Sequence, residues 1–311
     1  KIPKETLKFI TYPTRFDNRE TERALRGSGI KVPRLDDYAW RLWDYWERHL
    51  DPDLFVDRTL KGKVRNKVVV ITGASGGIGS RIALDLSRDR LVVAVGRRRE
   101  RLEELAARAQ QGPRQPEAAP GAILPLVADL TDLEGIDAVF SRLPRADALV
   151  HAAAIAPRAT VADADVPHWR SMLETNVMAP AELTRVLLPL LREAAAPVEA
   201  DALPGTVVFL GSGASRAVNP YNVAYAASKH AVQALADGLR QETAQTGLRV
   251  ATVAPGPVDT PMVQWDDDYP KAAPARLIEP ETVARSVRHV LDAPADTQLT
   301  EVWVRPRVEA K

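Results

Sequence analysis

Short apolar runs alternate with longer segments of helical periodicity along most of the chain. The runs are apolar at successive positions instead of every second one, which indicates strands buried on both faces of a sheet. Such strands joined by helices predict a doubly wound α/β domain, the Rossmann fold, with a mainly parallel seven-stranded sheet and helices on both faces. The predicted strands are residues 67–73, 91–96, 123–127, 148–152, 206–211, 248–254 and 301–304.

The first 66 residues do not follow this pattern. Residues 35–55 are rich in aromatic side chains, and apolar residues recur there at the spacing of one helical face: Leu42, Trp43, Trp46 and Leu50. Since apolar helical faces usually pack into a core, we predict that this helix packs on the α/β domain or on a domain outside this sequence. A membrane-surface or peptide-groove role is the alternative. We therefore divide the chain into an N-terminal extension or linker, 1–66, and an α/β domain, 67–311.

Composition narrows the classes of function. The 311 residues are 45% hydrophobic and carry a net charge of +1, so no overall field attracts nucleic acid. No stretch has the roughly 18 consecutive apolar residues of a membrane span. The lack of cysteine excludes disulfides and thiolate sites and fits a reducing compartment, so we predict a cytoplasmic location. The chain begins at Lys1 instead of Met, and we expect it to be a piece of a longer protein.

A glycine-rich loop, TGASGGIG at 72–79, follows the first predicted strand and opens a predicted helix. In such a loop Gly73 permits a tight turn, Gly77 lets the backbone approach a pyrophosphate, and Gly79 lets the helix pack close to the sheet. The phosphates then meet the N–H groups at the helix N-terminus. An ordinary glycine-rich turn is the alternative, but the strand before and the helix after are the context of a dinucleotide-binding fingerprint.

The end of the second strand distinguishes the two nicotinamide dinucleotides. NAD binding favours an acidic residue there for the ribose 2′-hydroxyl. This chain has Arg97 and Arg98 instead, and guanidinium groups suit a 2′-phosphate, so we predict NADP (NADPH) as the cofactor. The alternative is a solvated helix start whose arginines pair with nearby glutamates. After the third strand, Asp129 is placed either at the adenine amino group or as the cap of the following helix.

Four polar residues in the second half of the domain point to hydride transfer. Reduction of a carbonyl needs a proton donor for the developing alkoxide, a second hydrogen bond to that oxygen, and a group that makes the donor acidic. Tyr225, Ser212 and Lys229 can fill these roles, because Tyr225 and Lys229 lie one helical turn apart and Ser212 follows a strand. A nearby ammonium favours the tyrosinate that the reverse reaction needs. Asn176 lies upstream in a helical run.

The glycine-rich loop and these four residues together resemble the short-chain dehydrogenase/reductase family, in its single-domain NADP-using form, over residues 67–304. The resemblance implies that Tyr225 is the acid/base and that Ser212 orients the carbonyl. It implies that Lys229 binds the ribose and activates the tyrosine, and that Asn176 anchors a water-mediated proton relay. It also implies a set of cofactor contacts besides Tyr225 and Lys229: Thr72, Gly73, Ser75, Gly77, Ile78, Gly79, Arg97, Arg98, Asp129, Ala152, Pro255, Gly256, Val258 and Thr260.

One segment departs from the family. Its members usually have Asn-Asn-Ala-Gly after the fourth strand, where this chain has His-Ala-Ala-Ala at 151–154. The change removes two amides that would steady the central sheet and the cofactor. We interpret His151 as a packed or capping imidazole, with a functional base as the alternative.

Residues 16–55 carry a second resemblance. FDNRETERAL (16–25) and VPRLDDYAWRLWDYWERHLDPDLF (32–55) are similar to the segment that joins the two domains of bifunctional fatty acyl-CoA reductases. In those proteins a thioester-reducing domain comes first, and a short-chain reductase domain then reduces the aldehyde. The resemblance implies an upstream domain in the same longer chain. Residues 262–278, with Trp265 and Tyr269, are predicted to form a substrate lid.

Together these observations predict an NADPH-dependent oxidoreductase that reduces an apolar aldehyde or ketone, such as a long-chain fatty aldehyde, to an alcohol. The alternatives are a non-catalytic dinucleotide-binding regulator, suggested by the altered 151–154 segment, and a dehydrogenase of 3-hydroxy acids or secondary alcohols. No metal site is predicted. The helices around 167–191 and 223–243 are apolar on more than one side, so we expect a homodimer or homotetramer.

Overall fold

The computed structural model describes residues 19–29, 68–111, 122–195, 205–264, 277–294 and 296–308. The chain divides into two compact units, Lys1–Asp57 and Arg58–Lys311. In the first unit the described residues include helix α1, Arg19–Leu25. The aromatic helix predicted within 35–55 and most of the predicted lid lie outside the described residues.

The second unit contains a seven-stranded sheet in which all neighbouring strands run parallel. Their spatial order is β3-β2-β1-β4-β5-β6-β7. The prediction of a doubly wound, seven-stranded sheet is confirmed, and β2 and β7 begin and end at the predicted residues. The strands are β1 (Val68–Thr72), β2 (Leu91–Gly96), β3 (Ala122–Val127), β4 (Ala148–His151), β5 (Thr206–Leu210), β6 (Arg249–Pro255) and β7 (Glu301–Val304).

Side-chain caps mark where two of the helices begin. Asp132 accepts a hydrogen bond from the backbone nitrogen of Gly135 at 3.0 Å, and Asp165 accepts one from His168 at 2.9 Å. Each satisfies a backbone donor that the first helical turn leaves unpaired. The helices of this unit are α2 (Gly77–Leu86), α3 (Arg99–Gln111), α4 (Leu133–Phe140), α5 (Val166–Leu173), α6 (Ala179–Ala195), α7 (Val223–Glu242), α8 (Pro261–Gln264) and α9 (Pro280–Leu291), with a π-helical turn at Glu174–Met178 and a 3₁₀ turn at Gly213–Ser215.

The sheet has a hydrophobic core on each face, which explains why its strands are apolar at successive positions. In β1, Val69 and Ile71 belong to one core, and Val68 and Val70 belong to the other. The first core also takes buried residues from α2, α3 and α9, and the second from α4, α6 and α7. Both faces of the sheet are therefore covered by helices, as parallel sheets require.

The order of the strands determines where a ligand can bind. β1 lies between β2 and β4, so the chain builds one half of the sheet outward from β1 and then crosses to build the other half. In open α/β sheets a crevice forms at the carboxyl ends of the strands where this reversal occurs. The loops after β1, β4, β5 and β6 therefore meet at one edge of the sheet. Within the described part of the chain, no helix combines the length and apolar character needed to cross a bilayer.

Candidate active site

The loop between β1 and α2 is crowded in a way that only glycine tolerates. Gly73 has a φ of +67°, and a Cβ on it would lie 2.7 Å from the backbone nitrogen of Ala153. A Cβ on Gly79 would collide with the carbonyl oxygen of Gly73, so Gly79 permits α2 to start directly beneath the turn. Gly77 also has a positive φ, +52°. The bare loop leads into the N-terminus of α2, an arrangement that fits the pyrophosphate of a dinucleotide.

Thr72 joins this loop to the segment after β4. Its hydroxyl oxygen accepts hydrogen bonds from the backbone nitrogens of Ala152 and Ala153, at 3.0 and 3.1 Å. Thr72 is 1% exposed, and its hydroxyl lies 3.5 Å from the carbonyl oxygen of Val150. Ala152, which stands where the family has a polar residue, and its neighbour Ala153 are thus held through their backbone. Ala152 therefore lies beside the glycine-rich loop, as a cofactor contact would require.

The predicted 2′-phosphate residues gather around the same loop. A guanidinium nitrogen of Arg98 donates to the carbonyl oxygen of Ser75 at 3.1 Å, which brings the end of β2 onto the glycine-rich loop. Arg97 is exposed, and its charge helps to lower the pKa of Asp129, whose carboxylate lies after β3. The structure therefore brings Ser75, both arginines and Asp129 together at one end of the crevice.

Asp129 does not cap the following helix. Its carboxylate accepts hydrogen bonds from the backbone nitrogen and the hydroxyl of Thr131, at 3.0 and 2.8 Å, and these bonds are the main cause of its lowered pKa. The cap of α4 is Asp132. The helix-cap alternative for Asp129 is therefore wrong, because the carboxylate closes a tight local turn instead.

The loop after β6 faces the glycine-rich loop. Its backbone is fixed on two sides, because Gly256 donates to the carbonyl oxygen of Val304 at 2.8 Å and Val258 pairs with Ile278. A methyl carbon of Thr260 lies 3.8 Å from where a Cβ on Gly77 would be. Pro255 ends β6 at the start of this loop. Thr260 thus lies directly beside the start of α2.

Tyr225 and Ser212 come together at the carboxyl edge of the sheet. Ser212 follows β5 in an extended conformation, and its hydroxyl oxygen accepts a hydrogen bond from the backbone nitrogen of Ala214 at 3.1 Å. Burial raises the pKa of Tyr225, and a hydrogen bond to the Ser212 side chain partly opposes that rise. The two hydroxyl groups can therefore bind one substrate oxygen, with Tyr225 protonated at neutral pH.

Lys229 is a buried cation beside Tyr225. It is 5% exposed, and its Nζ donates to the carbonyl oxygen of Leu210 at 2.8 Å. The Nζ lies 5.6 Å from the centroid of the Tyr225 ring. Burial lowers the pKa of Lys229 from 10.5 to about 8, because the protonated amine has lost most of its water. Lys229 is thus placed to act on Tyr225 through charge and not through a direct hydrogen bond.

The side chain of Asn176 connects two segments of the chain next to the site. It lies in the π-helical turn, and its side chain exchanges two 2.9 Å hydrogen bonds with the backbone of Ile155. Its amide nitrogen also donates to the hydroxyl of Ser228 at 3.0 Å. π-Helical turns occur often at functional sites. Asn176 therefore joins the loop after β4 to α7, the helix that carries Tyr225 and Lys229.

Ser228 is a residue that the sequence did not single out. It is fully buried, and its hydroxyl donates to the carbonyl oxygen of Tyr225 at 2.7 Å while accepting from Asn176. In the sequence it looks like one of several small residues between Tyr225 and Lys229. Its position directly before Lys229, on a helix that carries the proposed acid, was the only available signal.

His151 is packed and neutral. Its ring stacks on Phe209, with centroids 4.8 Å apart, and its Nε2 lies 2.8 Å from the hydroxyl oxygen of Thr184. Burial, with a smaller contribution from the charge of Lys229, lowers the pKa of His151 to about 3. The structure therefore agrees with the packed interpretation of His151.

The arrangement is matched by proteins of one family. The sequence matches the short chain dehydrogenase family over residues 67–269. Dehydrogenase/reductase SDR family member 11 of Homo sapiens is 32% identical over 257 residues, which cover 78% of this chain and 95% of the human protein. An uncharacterized oxidoreductase of Staphylococcus epidermidis is 30% identical over 245 residues, which cover 78% of this chain and 99% of that protein.

A solved structure of similar sequence has the same fold. This structure is of a protein from Beutenbergia cavernae, provisionally assigned as an NAD(P)-dependent gluconate 5-dehydrogenase and solved with NADP bound at low occupancy. It is 31% identical, has a TM-score of 0.68, and covers 78% of this chain and 96% of its own. The family match, the similarity of these relatives and the geometry around Tyr225 lead to one conclusion: the chain belongs to the short-chain dehydrogenase family of oxidoreductases.

Proposed function

We propose that the protein is an NADPH-dependent reductase of apolar aldehydes or ketones. The observation that carries this proposal is the Tyr225 hydroxyl, hydrogen-bonded to Ser212 and accompanied by the buried Lys229, at the carboxyl edge of the sheet. The glycine-rich loop, with the bare backbone of Gly73 and Gly77, fits a dinucleotide on the same edge. A cofactor and a proton donor therefore have places beside one another.

The proposed mechanism assigns one role to each side chain. When bound, NADPH supplies the hydride that the carbonyl carbon accepts. Tyr225 donates its proton to the carbonyl oxygen, and Ser212 holds that oxygen by a second hydrogen bond as negative charge develops on it. The raised pKa of Tyr225 keeps its hydroxyl protonated at neutral pH. Lys229 stabilises the tyrosinate that remains after proton transfer. Asn176 positions α7 and anchors the water-mediated relay that returns a proton to Tyr225.

An apolar substrate is supported by the surface around the site. The loops after β4 and β5 and the short helix α8 after β6 each expose an apolar side chain, and exposed apolar surface can mark a binding site. These side chains are Val161, Val218 and Met262, which are 65%, 56% and 48% exposed. Such a rim favours an aldehyde or ketone with a hydrocarbon portion over a small polar hydroxy acid.

We expect the variant Arg98→Ala to bind NADPH about ten- to a hundredfold more weakly and NADH unchanged. The reason is that hydrogen bonds to charged groups contribute about 1.5–3 kcal/mol, and only NADPH carries the 2′-phosphate. Fluorescence titration of both cofactors measures this, followed by NADPH oxidation assays with aldehydes of increasing chain length. The matched control is Arg99→Ala, since Arg99 lies 3.8 Å from Glu103 on its own helix. Equal weakening of both cofactors, or tighter wild-type binding of NADH, would contradict the NADPH assignment.

We also propose that the chain assembles as a homodimer or homotetramer through α5, α6 and α7. Leu173 and Met178, at the junction of the first two helices, are 37% and 47% exposed, which leaves apolar surface for a partner copy. Light scattering should give a mass of two or four chains, and the mass of one chain would refute this. That residues 16–55 join the domain to an upstream thioester-reducing domain stays a prediction.

A further inference from the structure

Tyr221 holds a backbone conformation that its side chain disfavours. Among the described residues it is the only non-glycine with a positive φ, +62°. A Cβ in this region crowds the following carbonyl group, so glycine, asparagine or aspartate normally occupies such a position. Tyr221 follows Pro220 in a turn that is closed by a hydrogen bond from Asn222 to the carbonyl oxygen of Asn219, at 3.3 Å. Turns with proline second and a positive φ third favour glycine or asparagine at the third place.

The surrounding backbone keeps Tyr221 in this conformation. Its carbonyl oxygen accepts a hydrogen bond from the backbone nitrogen of Ala159 at 3.1 Å, and Ala159 pairs with Asn222 as an isolated parallel bridge. These contacts join the loop after β4 to the start of α7. Tyr221 is therefore fixed four residues before Tyr225, where the loop after β4 meets the turn that precedes α7.

The Tyr221 ring contributes little to the core of the protein. The residue is 57% exposed, although an aromatic side chain of this size usually gains stability by burial. The fold thus has a strained backbone and an exposed aromatic ring at a position where asparagine would satisfy the turn. Strained residues of this kind concentrate at ligand sites. The same two loops also expose the apolar side chains of Val161 and Val218.

We propose that Tyr221 is a specificity-determining residue, whose ring packs against the hydrocarbon part of the substrate at the mouth of the active site. This inference rests on the proposed reductase function and narrows its substrate class to aldehydes that carry an extended alkyl chain. An alkyl chain that extends beyond the reacting carbonyl group has to leave the site past the loops that meet at Ala159. A tyrosine ring held rigidly there offers the alkyl chain a flat apolar surface. The ring then loses little conformational entropy when the substrate binds.

The test compares chain-length dependence between variants. With NADPH, kcat/KM of the wild type should rise from propanal to decanal by about twofold per methylene, roughly half the effect expected for full burial of that group. In Tyr221→Asn the rise per methylene should fall by at least half while propanal is reduced at the wild-type rate within twofold. Tyr221→Phe should keep the wild-type dependence. The matched surface control is Leu124→Thr, which changes an exposed apolar residue on the edge strand β3.

Stability provides a second readout. Tyr221→Asn should raise the melting temperature by about 2–4 °C, because asparagine tolerates a positive φ. A purely structural role of Tyr221 predicts the opposite: a lower melting temperature and an equal loss of rate for all aldehydes. Either of those results overturns the proposal. So does an unchanged chain-length dependence in Tyr221→Asn, or a chain-length dependence that falls as much in Tyr221→Phe as in Tyr221→Asn.

The failure of the proposed function would look different. If the wild type reduces none of the aldehydes, the reductase function fails, and binding of 1-decanol and ethanol to the protein with NADP⁺, measured by thermal shift, decides the role of Tyr221. Selective weakening of 1-decanol binding in Tyr221→Asn supports the apolar contact. Equal binding by wild type and variant, or no 1-decanol binding by the wild type, refutes it.

Discussion

Replacing Tyr225 by phenylalanine should lower kcat for carbonyl reduction about a thousandfold, while the dissociation constant of NADPH changes less than threefold. The variant keeps the ring and removes only the hydroxyl that we propose as the proton donor. General acid catalysis commonly contributes a factor of about 10²–10⁴. Because the pKa of Tyr225 is raised by burial, the wild-type hydroxyl is protonated throughout the neutral range, and its loss cannot be compensated by changing the pH.

Steady-state oxidation of NADPH with the best aldehyde gives kcat, and fluorescence titration gives the affinity for NADPH. The fold should survive the change, since Ser212 keeps its hydrogen bond from Ala214 and the helix keeps the buried Ser228. A melting temperature within a few degrees of the wild type verifies this. Activity within threefold of the wild type would show that another group donates the proton and would refute the assignment of Tyr225.

Much of the frame around this site follows from the sequence, because its signals are local and repeated. The strands β2 and β7 were predicted to the residue, since β2 is a continuous apolar run that ends at a glycine and β7 is a short run of valine and tryptophan between polar residues. The glycine-rich loop was predicted from the tight turn that it makes, and the φ of +67° at Gly73 fits that reason, while the crowding at this position was not predicted. At Gly73 the backbone of Ala153 leaves no room for a side chain.

Other features of the site depend on contacts that the sequence does not contain. The π-helical turn around Asn176 has nearly the same apolar spacing as an α-helix, so periodicity does not distinguish the two. The role of Ser228 depends on a partner 52 residues away. The tyrosine at a positive φ was also unpredictable, because a strong local preference is overridden there by hydrogen bonds between two loops. Asp129 could cap the following helix or accept a hydrogen bond from a residue nearer in the sequence, and it binds the nearer donor, Thr131.

The buried ammonium of Lys229 affects both the proposed chemistry of the site and the stability of the folded protein. A buried ammonium is favoured by the charge that develops on Tyr225 during reaction, but in the resting protein it has lost its water. This is why its pKa is about 8 and not 10.5. Active sites commonly hold such groups at the expense of stability. Removing the charge should therefore change rate and stability in opposite directions, which a purely structural lysine would not do.

We expect Lys229→Met to lower kcat about a hundredfold. At an effective dielectric constant of about 20, a charge 5.6 Å from the Tyr225 ring stabilises the developing tyrosinate by about 3 kcal/mol, which is equivalent to about a hundredfold in rate. Methionine preserves the length and apolar stem of lysine without its charge. Comparison with Lys229→Arg, which retains the charge, should show a smaller loss of kcat. Equal losses in both variants would mean that side-chain shape, and not charge, is what Tyr225 requires.

The same variant should change how stability depends on pH. Because the pKa of Lys229 is lower in the folded protein, the unfolded chain binds more protons between about pH 8 and 10.5, so wild-type stability rises with pH across that window. Lys229→Met lacks this rise. Chemical denaturation at pH 7 and at pH 10.5 should therefore show the free energy of unfolding of the wild type gaining up to about 3 kcal/mol relative to the variant. An identical pH dependence for both proteins would show that Lys229 keeps its ordinary pKa, and that the buried ammonium is better solvated than its position implies.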